Sequence, residues 1–223
     1  MSTLVVYTVI TGYYEPLRPP HVIDPAVDYV CLCDLPIPAV RPWRIRVIER
    51  ECADAARESR RLKILSHKWF PDAECTLYHD ANMRLRTTNV LPWLTEHDIA
   101  LCVHPEFDCL YDGAQACIDS EKGDPEKIRA QVARYRAEGY PEHAGLVGGT
   151  VILRRQTEQI TRLNEAWWAE VANGSMRDQV SFNYVCWSLG VGYDVIPGHL
   201  YKNDAFEWTF PAFHMPPEEV IWL

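Results

Sequence analysis

The sequence predicts a single α/β domain with a mainly parallel central sheet and helices on both faces. Apolar segments typical of buried strands alternate along the chain with segments of helical periodicity, as in folds whose helices cross between parallel strands. The segment at residues 4–10, LVVYTVI, is almost entirely apolar and rich in β-branched residues. Such a run is typical of a central strand that is buried on both sides. The chain has 223 residues, which is enough for one domain of this class.

The remaining elements follow from the same patterns. Further strands are predicted over residues 28–34, 43–47, 75–77, 83–86, 99–103, 150–153 and 193–196, with 43–47 at an edge. Helices are predicted over residues 53–70, 124–138, 157–172 and 175–189, with one or two helical turns at 90–94. The clearest helix start is Asp124-Pro125, a capping carboxylate followed by proline. No internal repeat or linker is found, so residues 1–223 are interpreted as one domain.

Composition narrows the function classes. With 22 basic and 31 acidic residues the net charge is −9, so we expect no broad basic surface for nucleic acid. We find no signal peptide and no apolar run long enough to span a membrane. The eight cysteines form no CxxC pair, and four lie in apolar strand segments, where free cysteine behaves as a small apolar residue. We expect a reduced, cytoplasmic protein, with a disulfide framework as the lesser alternative.

Polar residues stand at the ends of several predicted strands: Thr11 with Gly12, Asp34, Asp80 with Asn82, His104, and Arg154. Ligands of parallel α/β sheets bind at the carboxyl ends of the strands, near the point where the strand order reverses. The sequence therefore predicts one cleft, in which Asp34 accepts hydrogen bonds from a nucleoside base or ribose. The chain contains no GxGxxG motif and no P-loop, which disfavours a dinucleotide oxidoreductase or an ordinary ATPase.

Asp80 and Asn82 form the centre of this predicted site. They follow a buried strand at a spacing of two, so both side chains lie on the same side of the chain. Two oxygen ligands suit a hard divalent cation, Mn²⁺ or Mg²⁺, whose other ligands are water and phosphate. The competing interpretation is an Asx turn, in which these side chains bond nearby backbone amides.

A basic face on the helix at residues 53–70 is the next candidate. Arg60, Lys63 and His67 are spaced to share this face. It is either a solvated surface or the place where Arg60 and Lys63 contact a diphosphate.

In their order along the chain, these motifs resemble a glycosyltransferase of the A-type fold. The matching segments are VYTVITG at 6–12, CLCD at 31–34, RRLK at 60–63 and YHDAN at 78–82. Further matches lie at 104–105, 135–141, 151–154, 167–168 and 175–182. More narrowly, the chain resembles the plant mucilage-related glycosyltransferase-like domains, and more remotely the glycogenin-like glycosyltransferases. The resemblance covers the chain to about Tyr184 and weakens beyond it.

The resemblance implies transfer of a sugar from a nucleotide-sugar donor to a hydroxyl acceptor, assisted by Mn²⁺ or Mg²⁺. Asp80 and Asn82 stand where the family's Asp-x-Asp motif would, so the second carboxylate is here an amide. Transferases of this fold often add a C-terminal histidine, for which His214 is favoured over His199. The nucleotide-binding candidates are Thr8, Thr11, Gly12, Asp34, Arg60 and Lys63.

Asp178 and Gln179 are the catalytic candidates. An inverting transferase needs a carboxylate base for the acceptor hydroxyl, whereas in a retaining one Asp178 would bind a sugar hydroxyl. Ser175-x-x-Asp178 also fits a plain capping box. The sugar- or acceptor-binding candidates are His104, Arg154 and Trp168, whereas Trp167 lies on the apolar helix face and is expected in the core.

We expect residues 1–104 to bind the nucleotide and residues 105–223 to bind the acceptor and to form the C-terminal tail. Two other function classes remain open. A sugar-nucleotide nucleotidyltransferase would be expected to have a glycine-rich basic loop after the first strand, and this sequence lacks such a loop. A non-catalytic nucleotide- or sugar-binding module is compatible with the amide at Asn82.

Overall fold

The first strand of the chain, β1 (Leu4–Ile10), is the third strand of a seven-stranded sheet and has neighbours on both sides. The computed structural model describes residues 4–209. The other strands of this sheet are β2 (Asp28–Cys33), β3 (Arg44–Val47), β4 (Cys75–His79), β6 (Ile99–Val103), β7 (Val147–Arg155) and β8 (Asp194–Val195). Their order is β3-β2-β1-β4-β7-β6-β8, and all run parallel to β1 except β7, which is antiparallel to both its neighbours. The predicted mainly parallel α/β sheet is confirmed, with the segment at 43–47 at its edge.

Six α-helices are described: α1 (Ala55–Ile64), α2 (Ser66–Trp69), α3 (Leu110–Asp119), α4 (Pro125–Ala137), α5 (Glu158–Asn173) and α6 (Phe182–Leu189). The helix predicted at 53–70 is divided at Leu65, whose backbone leaves the helical conformation. The helix predicted at 175–189 begins only at Phe182, after a 3₁₀ turn at Asp178–Val180. Helix α3 was not predicted.

The two faces of the sheet are covered differently. One apolar cluster joins alternate β1 residues, Val5, Tyr7 and Val9, to the buried faces of α1, α3, α4, α5 and α6. The opposite cluster joins Leu4, Val6 and Ile10 to loops, a 3₁₀ turn at Leu91–Trp93 and a small second sheet. Among residues 4–209, therefore, α-helices cover one face, where the sequence predicted them on both.

A small second sheet pairs the end of the described chain with the segment that follows β4. Its antiparallel strands are β5 (Met83–Leu85) and β9 (Phe206–Trp208), in which Met83 pairs with Trp208. The amide and hydroxyl of Thr209 both donate to the carbonyl oxygen of Asn82, at 2.8 and 2.7 Å. His214 lies outside the described residues.

All eight cysteines are free thiols, and seven of them are buried. Burial raises the pKa of Cys102 and of Cys186 to about 12, so these thiols keep their protons and act as small apolar side chains. None of the helices within residues 4–209 combines the length and the apolar character that crossing a lipid bilayer requires.

Candidate functional site

Two adjoining cavities open at the carboxyl ends of β1 and β4. The inner cavity, of about 240 Å³, is lined by residues that include Lys63, Asp80, Asn82, Gly149, Asp178 and Gln179. The outer cavity, of about 470 Å³, is lined by residues that include Thr11, Gly12, Asp54, Lys122 and Met176. Both are lined by Val9, Tyr14, Glu15, Ser59, Arg60 and Arg177, and together they are called the cleft below. The strands that end at Cys33, Ile10 and His79 are adjacent, but of these three ends only the residues that follow β1 and β4 line the cleft, so the predicted convergence of strand ends holds in part.

The turn after β1 forms one wall of the outer cavity. Gly12 has φ +62°, a left-handed conformation that favours glycine, and its amide donates to Asp34 Oδ1 at 2.9 Å. Thr11 Oγ1 donates to the carbonyl oxygen of Ala55 at 2.8 Å, which ties this turn to the start of α1. Sequence and structure agree that Thr11 and Gly12 lie at the cleft.

Asp34 has a different role from the one predicted. Its carboxylate accepts from the amide of Gly12 and from the guanidinium of Arg50, and its side chain lines neither cavity. Since its oxygens hold the turn in place, the prediction that Asp34 contacts a base or ribose is not supported. Thr8 is also misplaced by the prediction, because its side chain is fully buried within β1 and lines neither cavity.

Asp80 and Asn82 both line the inner cavity. The Tyr78 hydroxyl donates to Asp80 Oδ1 at 2.6 Å, and the Asp80 amide donates to the carbonyl oxygen of Thr150 at 2.9 Å. Burial, and then the Asp80 carboxylate, raise the pKa of Tyr78, so this hydroxyl keeps its proton and remains a donor. Asn82 Oδ1 is buried and has no hydrogen-bond partner among the described residues. These contacts do not match the Asx turn that was the competing interpretation.

This pair fits two positions of a divalent-cation site. A buried amide oxygen without a partner beside a carboxylate is a donor set of the kind that Mg²⁺ and Mn²⁺ accept, with water and phosphate completing the shell. Of residues 4–209, one group of three His, Cys, Asp or Glu ligands lies within metal-binding range, Cys109, Asp112 and His143, and it lines neither cavity. Within the described residues, Asp80 and Asn82 are therefore the protein ligands that the cleft offers to a cation.

Asp178 and Lys63 form a buried ion pair at the inner cavity. Their side chains are 8% and 5% exposed, and Lys63 Nζ donates to Asp178 Oδ2. Burial by itself would raise the pKa of Asp178, but the charges of Lys63, Arg60 and Arg177 outweigh it and hold the pKa well below its usual range. Asp178 is thus a carboxylate at neutral pH. Trp167, in the core as predicted, donates from its indole to the Asp178 carbonyl oxygen at 3.0 Å.

The helix α1 supplies the basic side of the cleft. Arg60 and Lys63 are one turn apart and both line the inner cavity, so the solvated-surface interpretation does not apply to them. His67 instead contacts Glu165, with Nε2 3.1 Å from Oε1. Gln179, beside Asp178, also lines the inner cavity.

Gly149 is a site residue that the sequence reasoning missed. A Cβ at this position would lie 2.8 Å from Lys63 Nζ and 3.0 Å from Asp178 Oδ2, so glycine leaves the room that the ion pair occupies. The signal was the Gly148-Gly149 pair inside a strand, which often marks close approach of another group. Arg177 was missed as well, although it directly precedes Asp178.

The prediction for Arg154 is wrong, because β7 runs antiparallel to β4. Arg154 pairs with Thr76, away from the carboxyl end of β4, and is completely buried. Its guanidinium donates to the Tyr7 hydroxyl and to the Lys63 carbonyl oxygen, both at 3.2 Å. It therefore supports the end of α1 from within the core and has no access to a sugar.

Three other candidates line neither cavity. His104 accepts from the amides of Glu106 and Phe107 through Nδ1, and burial lowers its pKa. Trp168 packs half-buried against the helical core. His199 is exposed and accepts from the amide of Tyr201. The cleft thus contains the predicted residues Thr11, Gly12, Arg60, Lys63, Asp80, Asn82, Asp178 and Gln179, and their functional roles stay predictions.

Comparison with known proteins identifies a protein of similar fold and the family of this chain. The fold is similar to that of the WbbM bifunctional glycosyltransferase in its apo structure, with a TM-score of 0.52 and 7% identity over 88% of this chain and 39% of that one.

The sequence model of the TOD1/MUCI70 glycosyltransferase-like domain matches residues 38–208. The chain belongs to this family. The probable hexosyltransferase MUCI70 of Arabidopsis thaliana is 28% identical in a 158-residue alignment that covers 64% of this chain. That match spans 27% of MUCI70, so the chain corresponds to about a quarter of its length. The predicted A-type glycosyltransferase fold and family resemblance are confirmed.

Proposed function

We propose that this TOD1/MUCI70 domain transfers a hexosyl group from a nucleotide-sugar to a hydroxyl acceptor. The observation that supports this most is that a carboxylate–amide pair, Asp80 and Asn82, and a buried ion pair, Lys63 and Asp178, line one cavity. The outer cavity beside it has about 470 Å³, within the usual range for small-molecule sites. Family membership and the probable hexosyltransferase relative support the same reaction class.

The inner cavity is suited to the diphosphate and the reacting sugar. Asp80 and Asn82 would hold Mn²⁺ or Mg²⁺, which when bound supplies positive charge to the departing nucleoside diphosphate. The bond from the anomeric carbon to the β-phosphate oxygen breaks, and a bond from the acceptor oxygen to that carbon forms. The proton of the acceptor hydroxyl passes to an oxygen of the departing diphosphate, so the step balances without a side-chain base. Arg60 of α1 adds to the stabilisation of the leaving group.

Asp178 is better suited to binding the donor than to removing a proton. A carboxylate whose pKa is held far below neutrality is a weak base, because general bases work best with a pKa near the working pH. We therefore assign Asp178 to a hydrogen bond with a donor-sugar hydroxyl and to stabilising the positive charge that develops at the anomeric carbon. Gln179, on the same 3₁₀ turn, adds an amide to this sugar subsite. This arrangement favours the retaining alternative.

The test is the coupling between metal and nucleotide. Mn²⁺ should bind weakly alone and much more tightly with uridine or guanosine diphosphate present, because Asn82 adds no charge to Asp80. Asp80→Ala should abolish both this coupling and hexosyl transfer from labelled nucleotide-sugars. The matched control is Asp119→Ala, which removes an exposed carboxylate bonded to Gln115. If nucleotide binds equally well with a chelator and Asp80→Ala matches the wild type, the metal-assisted mechanism is wrong.

Turnover assays separate the other function classes. Diphosphate binding without hydrolysis or transfer on any donor would identify a nucleotide-binding module instead, the class that the amide at Asn82 leaves open. Formation of a nucleotide-sugar from a nucleoside triphosphate and a sugar phosphate would identify a nucleotidyltransferase.

A further inference from the structure

Two arginines stand at the junction of the inner and outer cavities. Arg60, from α1, and Arg177, from the segment before the 3₁₀ turn, each line both cavities. The Nε atom of each is buried and has no hydrogen-bond partner among the described residues. A buried guanidinium nitrogen without a partner is costly, so both positions are suited to an anionic ligand that supplies the missing acceptor.

Lys63, the other cation of the inner cavity, is already occupied. Its ammonium is paired with Asp178, and Gly149 leaves just enough room for the two groups to meet. Glu15, which lines both cavities, forms an ion pair with Arg18 at 3.4 Å. After these pairs, the charges left among the described residues that line the inner cavity are two arginines and Asp80. Two guanidinium groups beside one carboxylate suit an anionic ligand.

The side chain of Arg177 is held in place by its surroundings. A Cβ at Gly123 would lie 3.3 Å from Arg177 Cγ, and Gly123 has φ +108°, where a side chain would be strained. The loop between α3 and α4 thus packs its backbone against the aliphatic part of Arg177. The Arg177 amide donates to Ser175 Oγ at 3.1 Å, which fixes the main chain next to Asp178. A side chain ordered in this way loses little entropy when it binds a ligand.

We propose that Arg177, together with Arg60, clamps the diphosphate of the bound nucleotide without needing a metal ion. The proposal rests on the nucleotide-sugar function above, and it makes Arg177 a binding residue of that site. Planar guanidinium groups suit phosphate oxygens because each presents two parallel N–H donors. The clamp explains why the pair Asp80 and Asn82 has one carboxylate and not two. The arginines offset much of the diphosphate charge, so a second carboxylate to hold the cation is not required.

The experiment is calorimetric titration of the full chain, in a metal chelator, with inorganic pyrophosphate and with uridine and guanosine diphosphates. Arg177→Met keeps the aliphatic part that packs on Gly123 and removes the charge, and Arg177→Lys keeps the charge but loses the paired donors. The matched control is Arg129→Met, on the exposed surface of α4, where Arg129 contacts Glu126. Thermal denaturation verifies that each variant is folded.

In chelator, we expect Arg129→Met to bind each probe, pyrophosphate or a nucleoside diphosphate, with the same affinity as the wild type does. Arg177→Met should bind roughly ten- to a hundredfold more weakly, as expected for the loss of charge-assisted hydrogen bonds, and Arg177→Lys should fall between. Wild-type protein that binds none of these probes in chelator, or Arg177→Met that binds like the wild type, would overturn the clamp. Since the readout is binding alone, a failure of the transferase proposal is seen separately, as diphosphate binding without turnover.

Discussion

The buried pair of Lys63 and Asp178 makes the clearest stability prediction, through the substitution Asp178→Asn. The Asp178 side chain is 8% exposed, and the amide that replaces its carboxylate removes the negative charge that faces Lys63. The single remaining oxygen can accept from either Lys63 Nζ or the Gln179 amide, which donates to Oδ1 at 3.2 Å in the wild type. Arg60 and Arg177 also interact favourably with this carboxylate and would lose that partner.

The expected cost is set by the ammonium group left without its counter-charge. Removing one partner of a buried ion pair typically costs about 3–5 kcal/mol. For a chain of this length each kcal/mol lowers the melting temperature by roughly 2–4 °C, so Asp178→Asn should melt about 6–20 °C below the wild type. The measurement is urea unfolding at pH 7, with Asp119→Asn as the exposed control.

The pH dependence provides the sharper test. The pKa of Asp178 is lowered in the folded protein, so its stabilising contribution is complete above the unfolded pKa of about 3.9 and decreases as pH falls below it. The difference in unfolding free energy between wild type and Asp178→Asn should be constant from pH 7 to about pH 5 and smaller by about 1 kcal/mol at pH 3. Equal stability at pH 7, or a difference that does not change down to pH 3, would refute a charged, buried pair.

Two further substitutions test the rest of the inner cavity. Gly149→Ala places a Cβ 2.8 Å from Lys63 Nζ, so it should displace the ion pair of Lys63 and Asp178. We expect a loss of about 1–3 kcal/mol in unfolding free energy and weaker diphosphate binding. An unchanged urea midpoint and an unchanged diphosphate affinity would contradict this close approach. Asn82→Asp should bind Mn²⁺ more tightly in the absence of nucleotide, because a second carboxylate adds charge beside Asp80. An unchanged Mn²⁺ affinity in direct titration would mean that residues 80 and 82 do not share an ion.

Local sequence signals predicted most of the regular structure. Asp124 accepts from the amides of Glu126 and Lys127 at the start of α4, as its position before proline indicated. The apolar run at β1 forms a fully buried central strand. These features depend on residues close together in the chain, so the sequence alone is sufficient. The helix α3 has a glycine, Gly113, in its middle, and it was missed because it packs against Leu146, a residue distant in the chain that directly precedes β7.

The predictions about single side chains were less secure, because a polar residue at a strand end can serve either a ligand or the fold. Asp34 was predicted to contact a nucleoside, yet its carboxylate is used by Gly12 and Arg50. The sequence placed the nucleotide with residues 1–104 and the acceptor with 105–223, and this division stays a prediction. Arg177 and Asp178, from the second half, line the same inner cavity as Asp80.

The sequence by itself determined the α/β class, the resemblance to A-type glycosyltransferases, and the motif Tyr78-His79-Asp80-Ala81-Asn82 at a strand end. Each of these is carried by local periodicity or by a short motif. Only the tertiary structure decided that β7 runs antiparallel, that Lys63 meets Asp178 across 115 positions of the chain, and that Gly149 leaves room for them. The physical reason is that strand direction and the pairing of buried charges depend on which distant segments pack together, and no local pattern encodes that choice.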